Sequence, residues 1–215
     1  MLEKLTRASL GLLVFGAVAI APQVASASPL LTEGGTVVMP GATIRATNVG
    51  NFVFTAGATT MTCTNVKIDG SLVTNSGKLI QETIKTVEVL GPAGSEGHCQ
   101  STFLGNRVLK VTAENLHWCL ETTGTDEFTI KGGGCNEAAK EVAFSLESTD
   151  KTINCTYAAT QLLGTYKTNE TPVTLSLSKQ KFTKKFGSGF TCAESGELTA
   201  TLLLETTAGT SLTIS

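Results

Sequence analysis

Aromatic side chains are scarce in this 215-residue chain: one tryptophan, two tyrosines and nine phenylalanines, 6% in all. Flat exposed rings are the usual platform for carbohydrate and for stacked cofactors, and only Trp118, Tyr157 and Tyr166 are of the right type. Histidine is scarcer, with His98 and His117 alone. Serine hydrolysis needs a histidine base and an oriented nucleophile, and no Gly-x-Ser-x-Gly occurs. Gly187-Ser188-Gly189 is better read as a turn. Charge is also low and balanced, with 16 basic and 18 acidic residues. That balance gives no electrostatic footprint for nucleic acid or an anionic membrane. Phosphate-cradling glycine loops and Asp-x-Asp calcium loops are missing. Blocks of alanine, leucine and glutamate that would favour helices are missing too. The end of the sequence, "SLTIS", carries no hydrophobic tail that would signal a second anchor. What is left defines a compartment and a fold class, and not a specific activity.

The compartment follows from the start of the chain. Lys4 and Arg7 supply positive charge, Leu10 to Ile20 is an uncharged apolar run, and Ala25-Ser26-Ala27 places small residues where a signal peptidase reads. The apolar run is too short to span a bilayer comfortably. Residues 1–27 are therefore expected to be a signal peptide cleaved before Ser28, with no cysteine beside the cut to accept a lipid. Glu3, Lys4 and Arg7 leave with it, so the mature chain has 188 residues, 14 basic and 17 acidic. A chain of that size can bury roughly 70% of its unfolded surface as one domain, residues 28–215. The best candidate for a lobe boundary is "GPAGSEGH" at 91–98, which reads equally well as a surface loop. All six cysteines, Cys63, Cys99, Cys119, Cys135, Cys155 and Cys192, lie in the mature part. An even count in an exported chain points to disulfides.

Threonine is abundant, and β-branched residues favour pleated surfaces. Apolar residues alternate with polar ones at Val142, Phe144 and Leu146; at Val173, Leu175 and Leu177; at Leu198, Ala200, Leu202 and Leu204; and at Leu212 and Ile214. Each set predicts a half-buried strand. "KLIQETIKTVEVL" fits a helix through Ile80, Ile84 and Val87, but its β-branched content favours a strand with Ile80 and Ile84 on one face. Turn signals such as "NVGN", "IDGS", "TNSGK" and "TTAG" separate the runs. The expectation is an all-β protein, an antiparallel β-sandwich of Greek-key or jelly-roll type stapled by disulfides.

Several chemistries can be weighed on named residues. His98 next to Cys99 and His117 near Cys119 make a conceivable zinc set, but the spacing of zinc ligands is missing and export favours oxidised thiols. Carboxylate pairs for glycoside hydrolysis are not identifiable from scattered acids. In "SKQKFTKKF", Lys179, Lys181 and Lys185 share one face of a strand, with Phe182 and Phe186 on the other. They would suit an acidic glycan, or blunt an edge strand against aggregation, which is the preferred reading. Trp118 alternates with Leu116 and Leu120 and belongs to a core. Tyr157 and Tyr166 remain candidate ligand platforms. "NCT" at Asn154 and "NET" at Asn169 match the glycosylation acceptor pattern.

The densest cluster is "NLHWCLETTGTDEFTIKGGGCNE", residues 115–137. A hairpin with a two-residue turn at Gly124-Thr125 places Cys119 opposite Ile130 and Cys135 opposite Glu114. The two cysteines are then about 17 Å apart along the strand, far beyond the ~4.4–6.8 Å that a disulfide spans. Either Gly132-Gly133-Gly134 fold the chain back, as glycines can, or Cys119 bonds elsewhere, for example to Cys99.

"NLHWCL", "DEFTIKGGGC", "FSLEST" with "NCTY", "LLGTYKT" and "FTCAESGELTATLLLE" together resemble a group of uncharacterised secreted all-β bacterial proteins containing disulfides. In that group an Asn-Leu-x-Trp-Cys strand precedes a glycine-rich cysteine. The resemblance covers residues 99–215 best and the first strands loosely. It implies an all-β fold and the pairs Cys63–Cys99, Cys119–Cys135 and Cys155–Cys192, which favours the fold-back, and it brings no activity, site or cofactor. The expected role is that of a secreted non-enzymatic protein, structural or engaged in surface interaction, with a cell-surface or extracellular glycan or protein as partner. The alternatives are a glycan- or small-ligand-binding module and a hydrolase with a carboxylate pair. No cofactor, no nucleic acid and no stable membrane span are expected.

Overall fold

The computed structural model describes residues 29–77, 79–91, 99–102, 108–124, 126–187 and 192–215. The expected signal peptide, most of the 91–98 segment and His98 lie outside the described residues. Among the described residues, seventeen strands follow one another. The first seven are β1 (Leu31–Glu33), β2 (Thr36–Val37), β3 (Thr43–Asn48), β4 (Phe52–Ala56), β5 (Thr59–Cys63), β6 (Asn65–Ser76) and β7 (Leu79–Leu90). Next come β8 (Cys99–Ser101), β9 (Val108–Glu114), β10 (Trp118–Thr122), β11 (Glu127–Gly132) and β12 (Val142–Ser148). The chain ends with β13 (Asn154–Ala159), β14 (Leu162–Tyr166), β15 (Thr174–Phe186), β16 (Ser195–Thr206) and β17 (Leu212–Ile214). The protein is all-β, and the ladders among the described residues are antiparallel. No helix among the described residues is long and apolar enough to cross a membrane.

The pairing closes on itself through fourteen strands, and a β15–β16 ladder runs across the ring. The two long strands belong to two circuits at once. The first half of β15 pairs with β14 and the second half with β13. The second half of β16 pairs with β3 and the first half with β4. One circuit therefore runs through β3, β6, β7, β10, β11 and β14, and the other through β4, β5, β8, β9, β12 and β13. Ladders β7–β10 and β5–β8 join residues on either side of the 91–98 segment. Closure pairs the backbone groups that an open edge would expose.

Both circuits pack against one apolar core. The alternation expected for β12, the start of β15, β16 and β17 is observed, with Val142, Phe144, Leu146, Leu175, Leu177, Leu198, Leu202, Leu204, Leu212 and Ile214 all buried. Phe54 stands at the centre of the second circuit, edge-on to Phe144 at 4.9 Å, Tyr157 at 5.0 Å and Phe182 at 6.0 Å. Such edge contacts add ~0.5–1.5 kcal/mol beyond area burial. The ambiguous "KLIQETIKTVEVL" is strand β7, and a bulge opposite Asp69 and Gly70 shifts its phase. Ile80 and Ile84 point inward before the bulge and Val89 after it, so a pattern with helical spacing arises from an irregular strand.

A three-stranded sheet of β17, β1 and β2 joins the two ends of the described chain. Leu30 and Ser215 exchange both backbone hydrogen bonds, at 3.0 and 3.1 Å. Asn75, near the end of β6, fastens this sheet to the body. Its Oδ1 accepts from the Leu31 amide at 2.9 Å, and its Nδ2 donates to the Leu31 and Val38 carbonyls, both at 2.8 Å. The side-chain amide thus replaces a peptide unit in the ladder.

Three disulfides join Cys63 to Cys99, Cys119 to Cys135 and Cys155 to Cys192, with Cα separations of 4.6, 4.7 and 5.7 Å. These are the pairs that the resemblance implies. The hairpin around the second bridge corrects the register expected from a two-residue turn. Cys119 lies opposite Lys131, and the Thr123 amide donates to the Glu127 carbonyl at 2.9 Å, so the turn holds three residues. The chain then reverses at the glycines. Gly132 exchanges backbone hydrogen bonds with Lys140 at 3.0 and 2.6 Å, and Gly133 has φ of +83°. Leu116 also departs from expectation. It is 38% exposed, because β10 begins at Trp118 and the alternation does not extend back to it. Trp118 is core, with Nε1 donating to the Glu114 carbonyl at 2.9 Å.

Two substitutions test these joints. A Cβ at Gly133 would lie 2.4 Å from the Ala138 carbonyl oxygen and require a positive φ, so Gly133→Ala should cost about 1–3 kcal/mol in urea unfolding. Gly124→Ala, where a Cβ meets open space, should cost well under that. Asn75→Ala should cost a similar ~1–3 kcal/mol, with hydrogen exchange accelerated at Leu31 and Ser215 more than at Phe54.

Candidate functional site

The residues singled out from the sequence are dispersed by the fold. Tyr157 and Tyr166 are 1% and 2% exposed, so neither is a ligand platform. Each belongs to the inward phase of its strand, and each hydroxyl is used internally. Tyr157 donates to the Ala193 carbonyl at 3.0 Å and Tyr166 to the Gly124 carbonyl at 2.8 Å. Burial, and then nearby Asp126, push the Tyr166 phenol up to about 12. Burial, and then Glu194, raise that of Tyr157.

The lysines do not form one face. Register shifts in β15 at Leu177/Gln180 and opposite Thr156/Tyr157 interrupt its alternation, and Lys179 has φ of +47°. Lys181 lies opposite Glu197, and the Lys185 ammonium is 2.8 Å from Glu141. Phe182 is buried as expected, whereas Phe186 is 62% exposed. The edge-strand reading is corrected as well, since β15 has strands on both sides. His117 is an exposed neighbour of the Cys119 bridge. Cys99 and Cys119 are oxidised in different bridges, which removes both thiolates from the zinc set. Asn154 and Asn169 are both exposed.

Two features that sequence reasoning did not single out carry chemistry. The first is a groove of about 240 Å³ on the outer side of β11, β14 and β15. Across it, Glu127 lies opposite Thr165 and Thr165 opposite Ser176. Leu163, 53% exposed, forms an apolar patch beside Ser178, and Thr123 closes the end. Gln180 anchors this wall, its Oε1 accepting from the Leu163 amide at 2.6 Å and its Nε2 donating to the Ser178 carbonyl at 2.8 Å. Tyr166 fixes the turn at the other end through Gly124 and through its own amide, which donates to the Asp126 carbonyl at 2.9 Å. No basic side chain lines the groove among the described residues. Outward-phase hydroxyls in "LLGTY" and "TLSLSK" were visible in the sequence, but their convergence depends on which strands adjoin.

The second feature is Glu82, 6% exposed on the inward phase of β7 between Ile80 and Ile84. It lies opposite Leu72 on β6 and Leu120 on β10, in the ladders that close the first circuit. Gly70 makes room for it: a Cβ there would lie 2.1 Å from Glu82 Oε1. Burial, with a smaller contribution from Asp69, pushes the carboxyl up to about 8. It is therefore mostly protonated at neutral pH. Glu82 does not line the groove.

The fold and its bridges define the class: an all-β, antiparallel protein stapled by three disulfides. No family model, curated protein or solved structure matches the chain.

Glu82 generates a pH prediction. Its folded pKa, about 8, lies above the ordinary 4.5. The folded state then holds a proton that the unfolded state releases, so stability is fully present below pH 4.5 and falls as pH rises towards 8. The loss is of the order of a few kcal/mol. Glu82→Gln should match the wild type near pH 4 and exceed it near pH 8.5 in urea melts. Equal pH slopes for the two proteins would contradict the assignment.

Proposed function

We propose that this chain is exported, loses residues 1–27, and acts outside the cytoplasm as a non-enzymatic surface-interaction protein. The observation that carries this reading is the combination of a closed, disulfide-stapled framework with an outer groove in which the hydroxyls of Thr123, Thr165, Ser176 and Ser178 and the Glu127 carboxylate adjoin a largely apolar lining. Three bridges fit an extracellular location, because oxidising compartments are where they persist. Each closes a separate loop, with separations of 36, 16 and 37 residues. In the chain-entropy model each such loop adds roughly 3–4 kcal/mol by restricting the unfolded chain. A rigid frame suits a protein that presents a fixed surface, since recognition by preorganised groups loses less entropy on binding. The groove also favours the second reading, a small-ligand or glycan module, over a hydrolase. Glu127, the one acidic side chain that lines it among the described residues, does not provide the two facing carboxyl groups that glycoside hydrolysis uses.

The test combines mass and binding. The secreted protein should have an intact mass lacking residues 1–27 and six hydrogens, and it should bind saturably to isolated cell envelopes. A secreted mass retaining the leader would contradict the processing. Turnover of a soluble glycan would replace the non-enzymatic reading.

A further inference from the structure

We infer that the groove on β11, β14 and β15 binds a neutral saccharide, about one terminal sugar residue at a time. This inference deepens the surface-interaction reading and rests on it for its biological setting. The ligand class follows from what the groove offers and what it withholds. The strands that form it are paired on both sides: β11 with β10 and β14, β14 with β11 and β15, and β15 with β14 and β16. An extended peptide recognised by strand addition therefore finds no free backbone edge here. Recognition falls to side chains.

Those side chains match a sugar. Thr123, Thr165, Ser176 and Ser178 carry hydroxyls that can both donate and accept. They make no hydrogen bond to another side chain or to the backbone among the described residues. Glu127 is exposed, has no ion pair among the described residues, and is an acceptor for neighbouring sugar hydroxyls. Leu163 supplies an apolar patch for the C–H face of a ring. The absence of a basic side chain from the lining, together with Glu127, disfavours uronic acids, sulfated sugars and phosphates. A volume of about 240 Å³ is below the roughly 300–1,000 Å³ typical of drug-sized ligand sites, which suits a single sugar. Phe128 also lines the groove but is 1% exposed and presents almost no ring surface, so the affinity for one residue should be weak, about millimolar, with tighter attachment only through repeated contacts on a surface.

The experiment is an amide chemical-shift titration of the mature, oxidised protein with methyl glycosides of glucose, galactose and mannose. Glucuronate and a sulfated hexose serve as charged controls. At least one neutral glycoside should saturate shifts at Glu127, Thr165 and Ser176. Glu127→Gln should weaken it about ten-fold or more, and Leu163→Ser should weaken it as well. Thr112→Ala, on the outer face of β9, should leave it unchanged. Binding undiminished in Glu127→Gln, stronger binding of the charged sugars, or no saturable shift in the groove would overturn the inference. Envelope binding separates the two levels. If it persists while no neutral glycoside binds, the saccharide inference fails and the surface-interaction reading stands. If glycosides bind and envelopes do not, the saccharide site stands and the surface-interaction reading fails.

Discussion

Backbone pairing along β15 and β16 is the constraint on which the rest of the structure depends. Each strand is long enough to carry two different neighbours on one side, so the ladder between them joins two circuits of strands. In β16 the change of neighbour leaves the alternation unbroken, whereas in β15 it comes with a local break in regularity. In β15 it falls at the shift between Leu177 and Gln180, where Lys179 adopts a left-handed conformation. Beyond the shift the inward phase moves from Leu177 to Phe182, which continues the core into the second circuit. A bulge here acts as the device that lets one strand serve two sheets.

The staples differ in their relation to the ladders: Cys63–Cys99 joins the paired strands β5 and β8, whereas Cys119–Cys135 ties a strand to a segment between strands. Cys119 is flanked by β7 and β11, opposite Thr83 and Lys131, so neither neighbouring strand presents a cysteine to it. Cys135 reaches it on a segment turned back by Gly133. The bridge pins a loop across the ladder that closes the first circuit. Beneath it, on the inner side of β7, lies Glu82, and the Cys135 sulfur is 3.3 Å from the Glu82 carbonyl oxygen. A buried carboxyl at such a seam costs stability when ionised, and the bridge constrains the seam against opening.

How far the fold was legible depended on whether period-2 alternation ran without interruption. In β12, β16 and β17 it did, and their inward residues were identifiable from the sequence. Alternation also placed Glu82 on the same face as Ile80 and Ile84, so the buried acid was implicit in the strand reading of that segment. Where the chain is irregular the pattern misled. Leu116 precedes the start of β10, and Lys179, Lys185 and Phe186 fall at or near register shifts in β15. The hairpin register was one residue away because a three-residue turn and a two-residue turn are both compatible with "TTGTDE". Cross-strand neighbours far apart in sequence, such as Glu127, Thr165 and Ser176, leave no local signal. Tyr157 and Tyr166 were attractive by residue type alone, and their phase within the strands decided their burial.

The same closure that stabilises the body restricts how it can be used. A strand protein with a free edge recognises partners through its main chain, with side chains refining the choice. Here the strands that face the groove have no such edge, and the tyrosines that could have formed a platform are committed to the core. What remains for recognition is the outward phase of three adjacent strands, where threonine and serine satisfy β-propensity and polar exposure together. Those residues serve the sheet whether or not they bind anything. Glu127 and Leu163 are different: a carboxylate with no ion pair among the described residues and an exposed leucine lie on neighbouring strands. Their placement beside hydroxyls that make no hydrogen bond among the described residues is what supports the proposed recognition in the groove rather than on the lysines of β15.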